Sequence, residues 1–192
     1  MFLERSSRGC STDDRPSAVK NFIGAVSLAG EAADGTFPHV VELVGGADFY
    51  ASPKLSPDGS ALAWVSWEHP NMPWDNTCLS VGEVSEDGSI GPTRVVCGDK
   101  EPQAVSSPRW SPANNKLHFI TDTSGWWNIC VEESPGGEVT PLCPMEGAEF
   151  GGPAWGLGSS PYSFLPDGRL LCQFSGPGVD AGGDQVLTNC NI

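Results

Sequence analysis

The sequence predicts an all-β fold: a partial β-propeller of four-stranded antiparallel blades, with about two complete blades and two incomplete ones. Three observations predict it. A motif recurs at near-constant spacing: YASPKLSPDGSALAWVSW (50–67) aligns with VSSPRWSPANNKLHFITD (105–122), and a split third copy runs from GGPAW (151–155) to FLPDGRLLCQFS (164–175). Turn signals separate short apolar runs throughout, and Gly (24) and Pro (17) are scattered rather than concentrated. No segment carries helical periodicity of useful length. Repeating four-strand modules favour a propeller over a β-sandwich, whose strands do not recur as units.

Taken in order, residues 1–20 are unassigned, and 21–47 read as the outer part of a first blade. The second unit, 48–98, is complete. Phe49–Ser56 is its first strand, turned by Pro57-Asp58-Gly59: Pro presets φ, Asp caps, and Gly takes the positive φ. Ala61–Trp67 is its second strand and Cys78–Val84 its third. Ile90–Cys97 is its outer edge strand, where Pro92 is tolerated. The third unit, 99–145, repeats this with Leu117–Thr121, Trp127–Glu132 and Glu138–Cys143. The fourth, 146–192, is the split copy. Since propellers close with about four to eight blades, the chain reads as part of a larger assembly.

Net charge is −14, and from Asn21 onward 21 acidic residues face 6 basic ones. With no basic stripe, nucleic acid and anionic membranes are not expected partners. No apolar run is long enough to span a bilayer, and the N-terminus lacks a signal-peptide core. Seven cysteines (Cys10, Cys78, Cys97, Cys130, Cys143, Cys172 and Cys190) include no C-x-x-C pair. They read as reduced, mostly core residues of a cytoplasmic protein, with a plastid as the alternative compartment. No metal or other cofactor is expected.

HPNMPWDN (69–76) joins two strands with far more chain than a hairpin needs. Strand counting gives it a direction. In an up-and-down blade the Asp-Gly turns share one face. The other face carries the second-to-third-strand loops and the blade-to-blade loops. That second face therefore gathers the elaborate connections. Its candidate binding residues are His69, Asn71, Met72, Trp74 and Asp75, then Trp126, then Glu146, Glu149 and Phe150.

DFYASPKLSPDGSALAWVSWEHPNMPWDNTCLSV, SPRWSPANNKLHFITDTSGWWNI, PLCPMEGAEFGGPAW and SFLPDGRLL together resemble the propeller of prolyl oligopeptidase family serine peptidases, most closely the acylaminoacyl-peptidase and dipeptidyl-peptidase-like branch. The resemblance covers about 26–174. It implies a propeller that admits short peptides to an α/β-hydrolase domain carrying a Ser-Asp-His triad. That domain is not in this chain. Neither G-x-S triplet, Gly9-Cys-Ser11 nor Gly158-Ser-Ser160, continues to the glycine of a nucleophile elbow. His39 and His118 read as packed or surface residues. Glu132 and Glu133 fall on opposite faces of a strand. The chain alone is expected to be inactive. A stand-alone TolB-like or adaptor propeller that binds a protein or peptide is the other reading.

Overall fold

The structure, a computed structural model, describes residues 2–7, 19–27, 40–156 and 158–176. His39, Cys10, Cys190 and the Gly9-Cys10-Ser11 triplet lie outside the described residues. The fold is all-β, and no helix occurs among the described residues.

Strands β1 (Phe2–Ser7), β2 (Lys20–Val26) and β3 (Val40–Val44) form one antiparallel sheet. Pairing of β1 with β2 brings a segment with no strand pattern in its sequence into that sheet. Strands β4 (Phe49–Leu55), β5 (Ala61–Trp67), β6 (Cys78–Val84) and β7 (Ile90–Cys97) follow as a four-stranded meander. Strands β8 (Val105–Trp110), β9 (Leu117–Thr121), β10 (Asn128–Glu132) and β11 (Val139–Pro141) repeat it. The last sheet pairs β12 (Tyr162–Phe164) with β13 (Leu170–Cys172).

These sheets stack face to face, and that explains a pattern alternation alone does not. ALAWVSW is apolar almost throughout because β5 is buried on both sides. Leu62 and Trp64 pack with Ile23 and Tyr50 toward the first sheet. Ala63, Val65 and Trp67 pack with Val105, Leu117 and Phe119 toward the third. Likewise β9 sends Leu117 and Phe119 one way and Ile120 the other, against Phe150, Tyr162 and Leu170. Burying each of these large side chains contributes about 1.5–3 kcal/mol.

The turns follow their sequence chemistry. Gly59, Gly88 and Gly168 have φ of 75°, 82° and 87°, and Asn115 fills the same role at 60°. Asp58 accepts from the Ser56 and Ser60 hydroxyls and the Ser60 N–H, at 2.6, 2.8 and 3.0 Å. Its other oxygen accepts from Asn115 Nδ2 of the next blade at 2.8 Å. These donors hold its carboxyl down to about 2.

The repeated Ser-Pro pair is a β-bulge rather than regular strand. In β4, Ser52 and Pro53 together face one residue, between the pairs Ala51–Val65 and Lys54–Ala63. In β8, Ser107 and Pro108 do the same between Ser106–Ile120 and Arg109–His118. Both serines have positive φ, 54° and 53°. The bulges turn carbonyls toward the following blade, where side chains reach them: Trp110 Nε1 donates to Lys54 O at 3.0 Å, and Tyr162 Oη to Ser107 O at 2.8 Å. Successive blades are further joined by Arg94, whose guanidinium grips Glu132 in a two-pronged ion pair.

Candidate functional site

The 68–77 connection is built by its own polar groups. Glu68 and Asp48 exchange bonds at its entry: Asp48 N–H donates to Glu68 Oε2 at 3.0 Å, and His69 N–H to Asp48 Oδ2 at 2.9 Å. The His69 N–H leads the causes that lower the Asp48 carboxyl. A cis peptide joins His69 to Pro70. Asp75 closes the middle turn, accepting from Met72 N–H at 2.8 Å while its own N–H donates to Met72 O at 3.0 Å. At the exit, Thr77 Oγ1 accepts from Val105 N–H at 2.6 Å and donates to Val105 O at 3.0 Å. Proline and short carboxylate caps thus fix a loop that regular pairing does not reach.

This loop shares its face with the others. Thr77 N–H donates to Gln103 O at 2.9 Å, and Asp122 Oδ1 accepts from Ala104 N–H at 2.8 Å. Asn128 and Met145 exchange bonds at 3.3 and 3.0 Å. Glu149 Oε2 accepts from Trp127 N–H at 2.6 Å.

The nine candidate residues divide into four environments. The Trp74 indole meets that of Trp155 with ring centroids 4.4 Å apart, and Met72 lies exposed in the same loop. Asn71 and Asp75 hold that loop's backbone. Trp126 and Glu146 line a groove of about 630 Å³ between two blades, with Cys97, Gln103 and Met145. His69 is edge-on to Phe49 at 4.8 Å and borders a separate hollow with Asp48 and Lys20. Glu149 and Phe150 are structural: the carboxylate holds Trp127 N–H, and Phe150 is buried in the core. Phe150 therefore presents no side chain to a partner on this face, although its flanking glycines and glutamates give it a surface-like sequence. Of the adjacent tryptophans, Trp127 packs against the core and Trp126 stays exposed.

Trp155 is the residue that sequence reasoning missed. It is 82% exposed and sits in the segment between the two parts of the split third copy. Its signal was an aromatic where the other copies carry a strand.

None of these groups forms a catalytic set. His118 lies in β9, wholly buried, with Nδ1 3.2 Å from Lys116 O and its ring edge-on to Phe164. Burial lowers its basicity. Glu132 holds Arg94 and the Gly136 N–H, while Glu133 pairs with Lys116 on the other side of the strand. The Cys97 thiol is pushed up to about 11 and Cys130 to about 12 by burial, so both are poor nucleophiles.

Among solved structures, a puromycin-hydrolysing peptidase of Mycobacterium tuberculosis aligns with 90% of this chain at 37% identity and a TM-score of 0.70. A puromycin hydrolase aligns with 85% of it at 36% identity and a TM-score of 0.74. The chain is a propeller segment of the prolyl oligopeptidase family. This propeller segment spans about a quarter of the length of those structures, 25% and 24%. No family model and no curated protein matches it. A TolB of Acinetobacter baumannii reaches only 14% identity and a TM-score of 0.31, so the likeness carries no argument.

Proposed function

We propose that this chain is the non-catalytic propeller part of a serine peptidase acting on short peptides. Its loop face would pack on an α/β-hydrolase domain and line the peptides' route to it. One observation carries the reading: among the described residues, exposed Met72 and Trp126 belong to the elaborate connections, and exposed Trp155 meets Trp74 of the same loop as Met72, whereas the exposed side chain beside the Asp-Gly turn is the smaller Leu55. Large apolar side chains gathered on one side of a rigid scaffold mark a contact surface. The solved relatives' names give puromycin as the first substrate to try on a full-length parent. The test is a structure of the chain with its hydrolase domain. The domain is expected over Met72 and Trp155. Finding it on the Asp-Gly turn face, with these side chains in solvent, overturns the proposal. The isolated chain is expected to show no turnover of fluorogenic aminoacyl or acyl peptides above buffer.

A further inference from the structure

The second and third sheets are packed against each other at their first strands and part toward their last ones. Ala51, Val65, Val105 and Phe119 close the packed side. Farther out, Arg94 of β7 spans the widening gap to Glu132, the last residue of β10. At the opposite end of β10, where the elaborate loops lie, the gap stays open as the groove of about 630 Å³. That volume falls among those of ligand sites, roughly 300–1,000 Å³.

The walls of the groove offer three kinds of contact. Val139, Pro141 and Met145 supply apolar surface, together with the exposed ring of Trp126. Gln103 supplies a donor. Its Oε1 accepts from the hydroxyls of Thr121 and Thr123 and from the Cys97 thiol, which leaves its Nε2 without a partner among the described residues. An amide fixed through its oxygen offers its N–H groups to a carbonyl. Asp99 and Glu146 supply negative charge. Both are exposed, and among the described residues neither carboxylate has a hydrogen-bond or ion-pair partner. Their field reaches inward: burial raises the Cys97 thiol first, and the charges of Asp99 and Asp122 add to it. Lys100 is the cation of the lining, and the chain around it carries a net charge of −14. A basic group entering the groove therefore meets two free carboxylates and an aromatic ring against a single ammonium, whereas an acidic one meets repulsion.

We propose that this groove binds a peptide through a basic residue with an apolar neighbour. The ammonium or guanidinium head lies toward Asp99 and Glu146 beside Trp126, the apolar neighbour packs on Val139, Pro141 and Met145, and a peptide carbonyl accepts from Gln103 Nε2. The site does not rest on the peptidase reading, since every wall of it belongs to this chain.

The experiment uses the purified chain, labelled with ¹⁵N and titrated with acetyl-Leu-Lys-Leu-amide. Saturable shifts of the Gln103 side-chain amide and the Trp126 indole are expected, with a dissociation constant below about 1 mM. The norleucine counterpart, which keeps the shape and loses the charge, is expected to bind at least about tenfold more weakly. Trp126→Ala should weaken the lysine peptide at least about threefold. Asp99→Asn with Glu146→Gln should weaken it about fivefold or more, and Lys100→Ala should tighten it. These side chains are exposed, and an unchanged remainder of the spectrum reports that each variant is folded; the comparison of the two peptides needs no variant. Absence of saturable binding up to about 5 mM overturns the site. Equal affinity for the lysine and norleucine peptides, or looser binding in Lys100→Ala, overturns the charge assignment. Equal binding of 4-phenylbutylamine, which has the cation and the apolar body but no carbonyl, overturns the peptide as occupant.

Discussion

Arg94→Ala is expected to cost more stability than Glu132→Ala, although the two remove the same ion pair. Glu132 is 4% exposed and Arg94 31%, and the pair joins β7 of one blade to β10 of the next. Taking away the arginine leaves a carboxylate that water barely reaches, with the Gly136 N–H at 3.0 Å its one remaining donor among the described residues. Breaking a buried pair in this way costs about 3 kcal/mol. Taking away the glutamate leaves a guanidinium that can turn into solvent, at a cost of about 1–2 kcal/mol. For a chain of this size the arginine variant should lose about 6–12 °C in thermal midpoint. Urea unfolding of both single variants and the double variant measures the difference. The double is expected to lie near Glu132→Ala alone, well short of additivity. Equal destabilisation by the two single changes, or a larger loss from Glu132→Ala, refutes the reasoning from exposure.

Three further outcomes are expected. Gly98 has a φ of 101°, and a Cβ there would stand 2.1 Å from Thr77 O, whereas Gly59 has open space around it. Gly98→Ala should therefore destabilise by more than about 2 kcal/mol and Gly59→Ala by about 1, as read by thermal unfolding. Asp58 is held down from 3.8 to about 2 in the folded chain, so its contribution is complete above pH 3.8 and disappears as pH falls through about 2. The gap in urea midpoint between the native chain and Asp58→Ala should be full at neutral pH and shrink across that window; a constant gap contradicts the assignment. Cys97 and Cys130, raised to about 11 and about 12, should resist iodoacetamide at pH ~8 until the blades open. Rapid alkylation of Cys130 in the folded chain, seen by mass spectrometry, would contradict its burial, and rapid alkylation of Cys97, which borders the groove, would contradict the raised thiol.

The strands of the second blade are legible in the sequence because turn chemistry brackets them. Ala61–Trp67, Cys78–Val84 and Ile90–Cys97 match the observed elements end to end. The bulges were not legible. A residue before proline ordinarily favours extended backbone, and nothing local marks Ser52 and Ser107 for positive φ; the reason lies in the next blade, in Trp110 and Tyr162. Strand β1 was hidden for another reason, since its sequence carries no alternation or turn signal and it finds its place only by pairing with β2. At the candidate face, local chemistry showed which loops were unusual and strand counting showed which side they take. Burial separated Phe150 from Met72, and only packing revealed where the insertion goes. Trp155 read as repeat sequence until its ring met Trp74.

The links between blades set a timetable for synthesis. Thr77 waits for Val105, 28 residues on, and Arg94 waits for Glu132, 38 on. Lys54 and Asp58 wait for Trp110 and Asn115, 56 and 57 on, and Ser107 waits 55 residues for Tyr162. Each blade can form its sheet as it leaves the ribosome, yet its last polar groups stay unpaired until most of the following blade has emerged. A slow codon placed just after one blade would prolong exposure of its bulge carbonyls and inner face, whereas the same pause one blade later would find them covered.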